Sequence, residues 1–361
     1  MKQTLDNPNF ELLPRDDEVF LSENINAVES LRTIAKDRVT PYADFRKQVA
    51  TMEDGTRYIV TSTNIPDKYQ RDSSDIMSLE TSAWLTKGEG LYTRRALHLA
   101  RLAMPSVFVG VQQNLSQWGN LPKAAHDQLE IASRIAREQD YDLSHTIGNG
   151  ISRGAMASII ETSLASQHGI KKLYTDAIVP CFPAGMNPAK DVALFRQFPL
   201  NEMSTLRALR AVPLKVMLHL PQTFDMSARG IFQQAKELPT LLAGDVSRYA
   251  TSMPTDSFGY LTAYEGDVMS QGSRYQEIFN DRDYPNMIVD LTPGGGHMKC
   301  ASEDCCSDWK TRTTTIAELL HDDPSARHLG GTAFRILAAE RNDVFTRPSD
   351  NQLSFAVSQT G

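Results

Sequence analysis

Residues 145–158 read HTIGNGISRGAMAS, an apolar strand-like run that passes through a glycine-rich turn into small helix-forming residues. Two chemistries compete for this stretch. As Gly148-x-Gly150-x-x-x-Gly154 it offers backbone N–H groups that could cradle the phosphates of a dinucleotide. As Gly150-Ile151-Ser152-Arg153-Gly154 it offers a serine on a sharp strand-to-helix turn. The dinucleotide fingerprint requires a third glycine three residues after the second, and Arg153 occupies that position. The fingerprint also belongs after the first strand of its unit with an acid about 20 residues on, whereas this turn follows roughly the fifth strand-like run and the nearest strand-end acid is Asp176. The serine reading uses more of the local residues. A strained turn needs small neighbours two positions to either side, and Gly150 and Gly154 supply them. The helix start then aims N–H groups at the space over Ser152 Oγ, where an oxyanion would develop.

A serine hydroxyl is a poor nucleophile unless a histidine takes its proton and a carboxylate orients that histidine. Both follow in the chain. Pro293-Gly294-Gly295-Gly296-His297-Met298 comes directly after the apolar run NMIVDLT, which sets an imidazole on a glycine-rich turn at a strand's carboxyl end. The other histidines mostly lie within helical or cap patterns or precede the turn, so His297 is the candidate base. The acid should end the strand before it, and FGYLTA is followed by Tyr264-Glu265-Gly266-Asp267. Asp267, just past Gly266, is the first candidate for the orienting acid, and Glu265, nearer the strand, is the alternative.

A chain of 361 residues, 41% of them hydrophobic, can bury a large core. Its net charge of -7, with no lysine or arginine cluster, argues against nucleic acid or anionic lipid as a partner. The N-terminal MKQTLDNPNFELLPRDDEVF has no apolar signal core, and no window approaches the run of about 18 apolar residues that a membrane span needs. A soluble, cytoplasmic chain is expected. Cys181, Cys300, Cys305 and Cys306 are too few for a disulfide framework, and Cys300-x4-Cys305-Cys306 lacks the paired spacing of a zinc site. The expectation is free thiols, no metal and no other cofactor.

Outward from the opening stretch, strand-like and helical patterns alternate. FRKQVATM and RYIVTSTNI flank Glu53-Asp54-Gly55-Thr56, a hairpin signal, and residues 1–45 before them read as a polar, proline-dotted N-terminal arm with one amphipathic helix near residues 26–37. IMSLETSAWL, SVFVGV, residues 145–150 and KKLYTDAIVP read as strands. Between and after them come the helical patterns YTRRALHLARLAM, KAAHDQLEIASRIAREQ and AMASIIETSLASQH, the last closed by Gly169. Residues 183–256 break this rhythm with helical patterns between prolines, which predicts a helical cap insertion. FGYLTAYE and NMIVDLTP resume the strands, and WKTRTTTIAELLHD is a closing helix. The expected fold class is α/β, a mostly parallel central β-sheet flanked by helices, with its core in residues 46–182 and 257–322 and a C-terminal tail at 323–361.

The order Ser152, Asp267, His297, with GxSxG after a mid-sheet strand and GGGH after the last, resembles the α/β-hydrolase fold over roughly residues 46–320. The resemblance implies a serine hydrolase of the esterase, lipase or thioesterase class. Such an enzyme cleaves a carboxylic ester or related acyl bond of a small, moderately apolar substrate through an acyl-enzyme intermediate. It also implies an oxyanion hole made by the backbone N–H of Arg153 and one N–H after the third strand. Members often carry His-Gly at that second place, whereas this chain has Glu80-Thr81-Ser82-Ala83-Trp84, so the role falls to Ser82 or Ala83. Gln112 or Gln113 takes it if the strand count shifts by one. The Arg153 side chain is expected in an exposed salt bridge. Because this fold also hosts inactive members, a non-catalytic ligand- or partner-binding protein is the alternative reading.

Overall fold

Strands β2 (Asp44–Met52) and β3 (Arg57–Asn64) meet where Asp54-Gly55 reverses the chain. Gly55 N donates to Met52 O at 2.9 Å and Met52 N donates to Thr56 O at 2.7 Å. Gly55 takes φ +79°, a conformation that costs glycine nothing. The Asp54 carboxylate closes the turn by accepting from Thr56 N at 3.0 Å. The computed structural model describes residues 10–14, 44–64, 77–81, 106–111, 120–140, 146–167, 177–181, 245–254, 257–264, 267, 275, 277, 287–292, 303–329 and 331–341.

The remaining strands are β1 (Phe10–Pro14), β4 (Met77–Thr81), β5 (Ser106–Val111), β6 (Thr146–Ile151), β7 (Ala177–Cys181), β8 (Gly259–Tyr264) and β9 (Met287–Thr292). They form one nine-stranded sheet in the order β1-β2-β3-β5-β4-β6-β7-β8-β9. The pairs β1–β2, β2–β3 and β3–β5 are antiparallel, and every pair from β5 across to β9 is parallel, the mostly parallel sheet that the alternating patterns predict. One strand was not expected. The N-terminal arm carries β1, whose Phe10–Pro14 backbone pairs with Gln48–Met52, and an edge position tolerates the missing N–H of Pro14. The helix expected near residues 26–37, the Gly169 cap and residues 183–244 lie outside the described residues.

The α-helices described along their length are α1 (Leu121–Glu138), α2 (Arg153–Gln167), α3 (Asp245–Ala250), α4 (Glu303–Asp322) and α5 (Gly331–Arg341). Helix α1 starts at Asn120, whose side chain accepts from Lys123 N at 3.1 Å, and it buries Leu121, Ala125, Leu129, Ala132 and Ile135 at helical spacing. Leu121, Ala125, Met156, Ile160, Ala250 and Met253 cluster with Leu261 in one apolar core. Ile147, Tyr260, Ile288, Ile316, Leu320 and Phe334 cluster in another. Tyr260 and Leu261, consecutive in β8, therefore serve different cores, as the strand's period of two dictates. All six residues of β8 are buried, as expected of a strand covered on both faces. Of the segment expected as a cap, residues 245–254 pack on α2, where Ser163 Oγ and Ser252 Oγ lie 2.6 Å apart. Among the described residues no helix is long and apolar enough to cross a membrane.

The segment from residue 323, without clear pattern in the sequence, extends the core. Asp323 caps a 3-10 turn at Pro324–His328 by accepting from Ser325 N, and α5 follows. Phe334 of α5 is fully buried with its ring 4.6 Å from that of Phe258. Arg335 pairs with the buried Asp290 of β9 at 3.1 Å and donates to Val289 O at 3.2 Å. Tyr260 donates to Asp290 at 2.7 Å, with Arg312 of α4 at 3.7 Å. Burial, then the Asp290 charge, raises the Tyr260 phenol well above its ordinary range, so it stays a neutral donor. Phe334→Ala should lower stability by about 3–5 kcal/mol, measured as a shift of the urea midpoint. An unchanged midpoint would mean that α5 contributes nothing to the core.

Candidate active site

Strand β6 ends at Ile151 and α2 begins at Arg153, so a single residue, Ser152, turns the chain between them. Its φ is +55°. Among the described residues only Asp140 shares a positive φ without being glycine, and Asp140 sits just beyond the end of α1, where left-handed residues commonly close helices. Ser152 instead occupies a strand-to-helix joint, and the left-handed region costs a residue with a Cβ roughly 1–2 kcal/mol. The surroundings must hold it there. Ser152 O accepts from Ala155 N at 3.0 Å and Met156 N at 3.2 Å, which makes it the first rung of the helix. Gly150 packs so tightly on the helix start that a Cβ there would overlap the backbone of Gly154 and Ala155. Ser152 keeps partial exposure while Arg153, Gly154 and Ala155 are buried.

This geometry weighs against the phosphate-cradle reading of the stretch. A phosphate cradle needs a loop between strand and helix, and here one residue separates them. Gly148, read in the sequence as a turn residue, lies within β6, paired with Leu79 and Ile178. It lies on the same face of the strand as Gly150.

Asp267 follows β8, two strands from β6 in the sheet order. Its N–H donates to Tyr264 O at 3.1 Å, and the residue is 2% exposed. Ser152 and Asp267 thus leave the carboxyl ends of parallel strands at one border of the sheet. The Asp267 charge is felt by the fully buried Tyr275, whose phenol is raised well above its ordinary range by burial first and by that charge second. Thr81, the last residue of β4, pairs with Gly150, and β9, the strand before the glycine-rich turn, lies beside β8. His297, Glu265, Ser82, Ala83, Gln112, Gln113 and Asp176 lie outside the described residues. Ser152, Arg153 and Asp267 thus all lie at one border of the sheet, Asp267 two strands away from the other two.

The Arg153 side chain departs from the expected exposed salt bridge. At 1% exposure it is the largest fully buried side chain among the described residues. A separate polar network lies at the end of the β2–β3 hairpin and the start of α1. Tyr58 OH donates to Asp127 Oδ2 at 2.8 Å, and Lys123 Nζ reaches Asp127 Oδ2 at 2.6 Å and Asp54 Oδ2 at 3.0 Å. Burial, then the Asp127 charge and hydrogen bond, raises the Tyr58 phenol far above its usual range, and the Arg153 charge opposes that rise. Burial alone would lower Lys123, but its bonds to Asp127 and Asp54 outweigh it and hold the ammonium above its ordinary value. The hydrogen bond from Thr56 leads the effects that lower Asp54. The sequence reading missed this network. Its only local signals are the Asp54-Gly55 turn and the Lys123/Asp127 spacing of four on a helix.

No protein-family model matches the sequence, and no curated protein matches it. Solved structures do resemble the fold. An esterase from the archaeon Pyrobaculum calidifontis superposes with a TM-score of 0.52 at 13% identity, covering 84% of this chain and 93% of that one. Carboxyl esterase 2 from the mycorrhizal fungus Tuber melanosporum gives 0.53 at 12% identity, over 79% of this chain and 90% of that one. A structure from a study of two esterases of the fungus Rhizomucor miehei gives 0.53 at 14% identity, over 91% and 94%. Strand order, strand direction and these likenesses agree that the chain has the α/β-hydrolase fold.

Proposed function

We propose that the protein is a serine hydrolase that cleaves a carboxylic ester, or a related acyl bond, of a small and moderately apolar substrate. The observation that carries this reading is Ser152, a non-glycine residue held at φ +55° between a central strand and its following helix. Backbone strain of this kind is retained where a side chain must be presented. The buried Asp267 at the end of β8 and the esterase identity of the similar structures support it.

In the proposed mechanism Ser152 Oγ attacks the carbonyl carbon while His297 takes its proton. Asp267 holds the histidine in the required tautomer, with Glu265 as the alternative acid. The negative charge that develops on the carbonyl oxygen is met by the backbone N–H of Arg153, at the first position of α2, and by that of Ser82 or Ala83 just after β4. The C–O bond breaks, the alcohol leaves with the proton from His297, and the acyl group remains on Ser152. Water, deprotonated by the same histidine, then releases the acid and restores the serine.

A fluorophosphonate probe tests this directly. One probe per chain should be recovered on the peptide that contains Ser152, and p-nitrophenyl esters of increasing chain length should be hydrolysed with a preference that reports the acyl pocket. A folded protein that takes up no probe and turns over no ester would overturn the reading and leave a non-catalytic binding protein of this fold.

A further inference from the structure

Just before Ser152, strand β6 meets a helix on each face, and it meets the two by different means. Gly148 and Gly150 share one face, and there the start of α2 comes so close that a Cβ on Gly150 would overlap the backbone of Gly154 and Ala155. Asn149 points to the other face, where Thr313 of α4 donates to its Oδ1 at 3.4 Å. Its Nδ2 donates to Ser78 Oγ of β4 at 2.5 Å. Ser78, Asn149 and Thr313 are all 0% exposed. Because glycine has no side chain, Asn149 is the one side chain by which residues 148–150 are gripped beside the backbone ladder.

A leucine at position 149 would fill that face with no polar group to desolvate, whereas a buried carboxamide loses water at both its oxygen and its nitrogen and needs partners in set directions. What the carboxamide adds is direction. Apolar contacts tolerate small slips of one strand along another, and a hydrogen bond of fixed length and angle does not. Ser152 stands three residues further on at φ +55°, so the close approach of α2 on one face of β6 must be met from the other if that backbone is to stay left-handed. The partners of Asn149 are placed to meet it. Strand β4 pairs with β6 from Met77↔Thr146 to Thr81↔Gly150 and leads into the second proposed oxyanion N–H. Helix α4 is itself seated on the sheet, since Arg312, beside Thr313, donates to Thr262 of β8 at 3.4 Å and lies 3.7 Å from Asp290 of β9.

We propose that Asn149 is a positioning residue for the serine turn: through Ser78 of β4 and Thr313 of α4 it backs β6 against α2, and so sets Ser152 and the Arg153 N–H at a fixed height relative to the end of β4. This inference rests on Ser152 being the nucleophile. A nucleophile or oxyanion donor displaced by a fraction of an ångström still binds substrate but no longer matches the transition state.

The test measures hydrolysis of p-nitrophenyl acetate and the rate of fluorophosphonate labelling in Asn149→Leu, Ser78→Ala, the double variant of these two, and Thr313→Val. Each kcat is expressed per site titrated to completion by the probe, so that unfolded protein does not count. Asn149→Leu should lower kcat and the labelling rate about tenfold to a hundredfold with KM within twofold, and Ser78→Ala and Thr313→Val should each lower them by about threefold to tenfold. Asn149→Leu and Ser78→Ala break the same contact, so the double variant should lose little more than Asn149→Leu alone. Ser78→Ala removes a single oxygen, so it stands as the deciding variant if Asn149→Leu does not fold. A purely structural contact would lower the urea midpoint and leave kcat per titrated site and the labelling rate unchanged. That result in Ser78→Ala and Asn149→Leu, with hydrolysis still abolished by Ser152→Ala, would overturn the positioning role and leave the nucleophile in place. Full activity in Ser152→Ala would instead overturn the underlying function, and the positioning role with it.

Discussion

Gly150→Ala is expected to yield a protein with little or no folded, active population, although it adds one methyl group. The new Cβ would overlap the C and O of Gly154 and the N of Ala155, all backbone atoms of the first turn of α2, so no flexible side chain can swing aside. Relief requires the strand and helix to move apart. That movement would open the core where Met156 and Ile160 pack with Leu121 and Leu261, and it would remove the pressure that keeps Ser152 left-handed. A loss of at least about 3 kcal/mol follows from overpacking against a rigid neighbour. Urea unfolding and probe labelling check it. Gly55→Ala is the matched control, since that site has open space but φ +79°, and its cost should be about 1–2 kcal/mol from backbone strain alone with the probe still binding. If Gly150→Ala proves as stable as the wild type, the close strand-to-helix approach is wrong.

Replacing Ser152 separates its chemistry from its conformation. Ser152→Ala and Ser152→Gly should both lose ester hydrolysis by roughly 10⁴- to 10⁶-fold, because each removes the proposed attacking oxygen while leaving any oxyanion donors in place. Their stabilities should part. Alanine keeps the Cβ that makes the left-handed backbone unfavourable, whereas glycine adopts φ near +55° freely, so Ser152→Gly should exceed Ser152→Ala by about 1 kcal/mol. Thermal or urea unfolding of the two inactive variants gives this difference. Equal stabilities would mean that the turn is unstrained, and retained hydrolysis in either variant would remove Ser152 from the mechanism.

Much of the sheet was legible because its signals are local. The Asp54-Gly55 hairpin, α1 and the all-buried β8 declare themselves through turn chemistry and through periods of 3.6 and 2 within a few residues. The serine turn was legible because a close backbone approach needs glycine at particular positions, and Gly150 occupies the critical one. What escaped depends on distant partners. Strand β1 gains its hydrogen bonds from β2 across more than thirty intervening positions, and nothing in FELLP alone demands them. Helix α5 reads as an ordinary polar-apolar mixture until Phe334 meets Phe258 and Arg335 meets Asp290. The burial of Arg153 was misread for the same reason. Tyr58 and Asp127 stand 69 positions apart, so their buried hydrogen bond has no local signature either. The placement of β5 between β3 and β4 likewise has no local signature.

The described chain starts and finishes on opposite sides of the molecule. Phe10–Pro14 forms one outer strand and α5 packs its Arg335 against the strand at the other extreme, with eight steps between the two outer strands, or roughly 38 Å at ordinary strand spacing. A pair of fluorophores attached near residues 10 and 341 would therefore span every ladder of the sheet at once. Energy transfer between them would report whether the sheet has closed along its whole width during refolding, without a label near the serine.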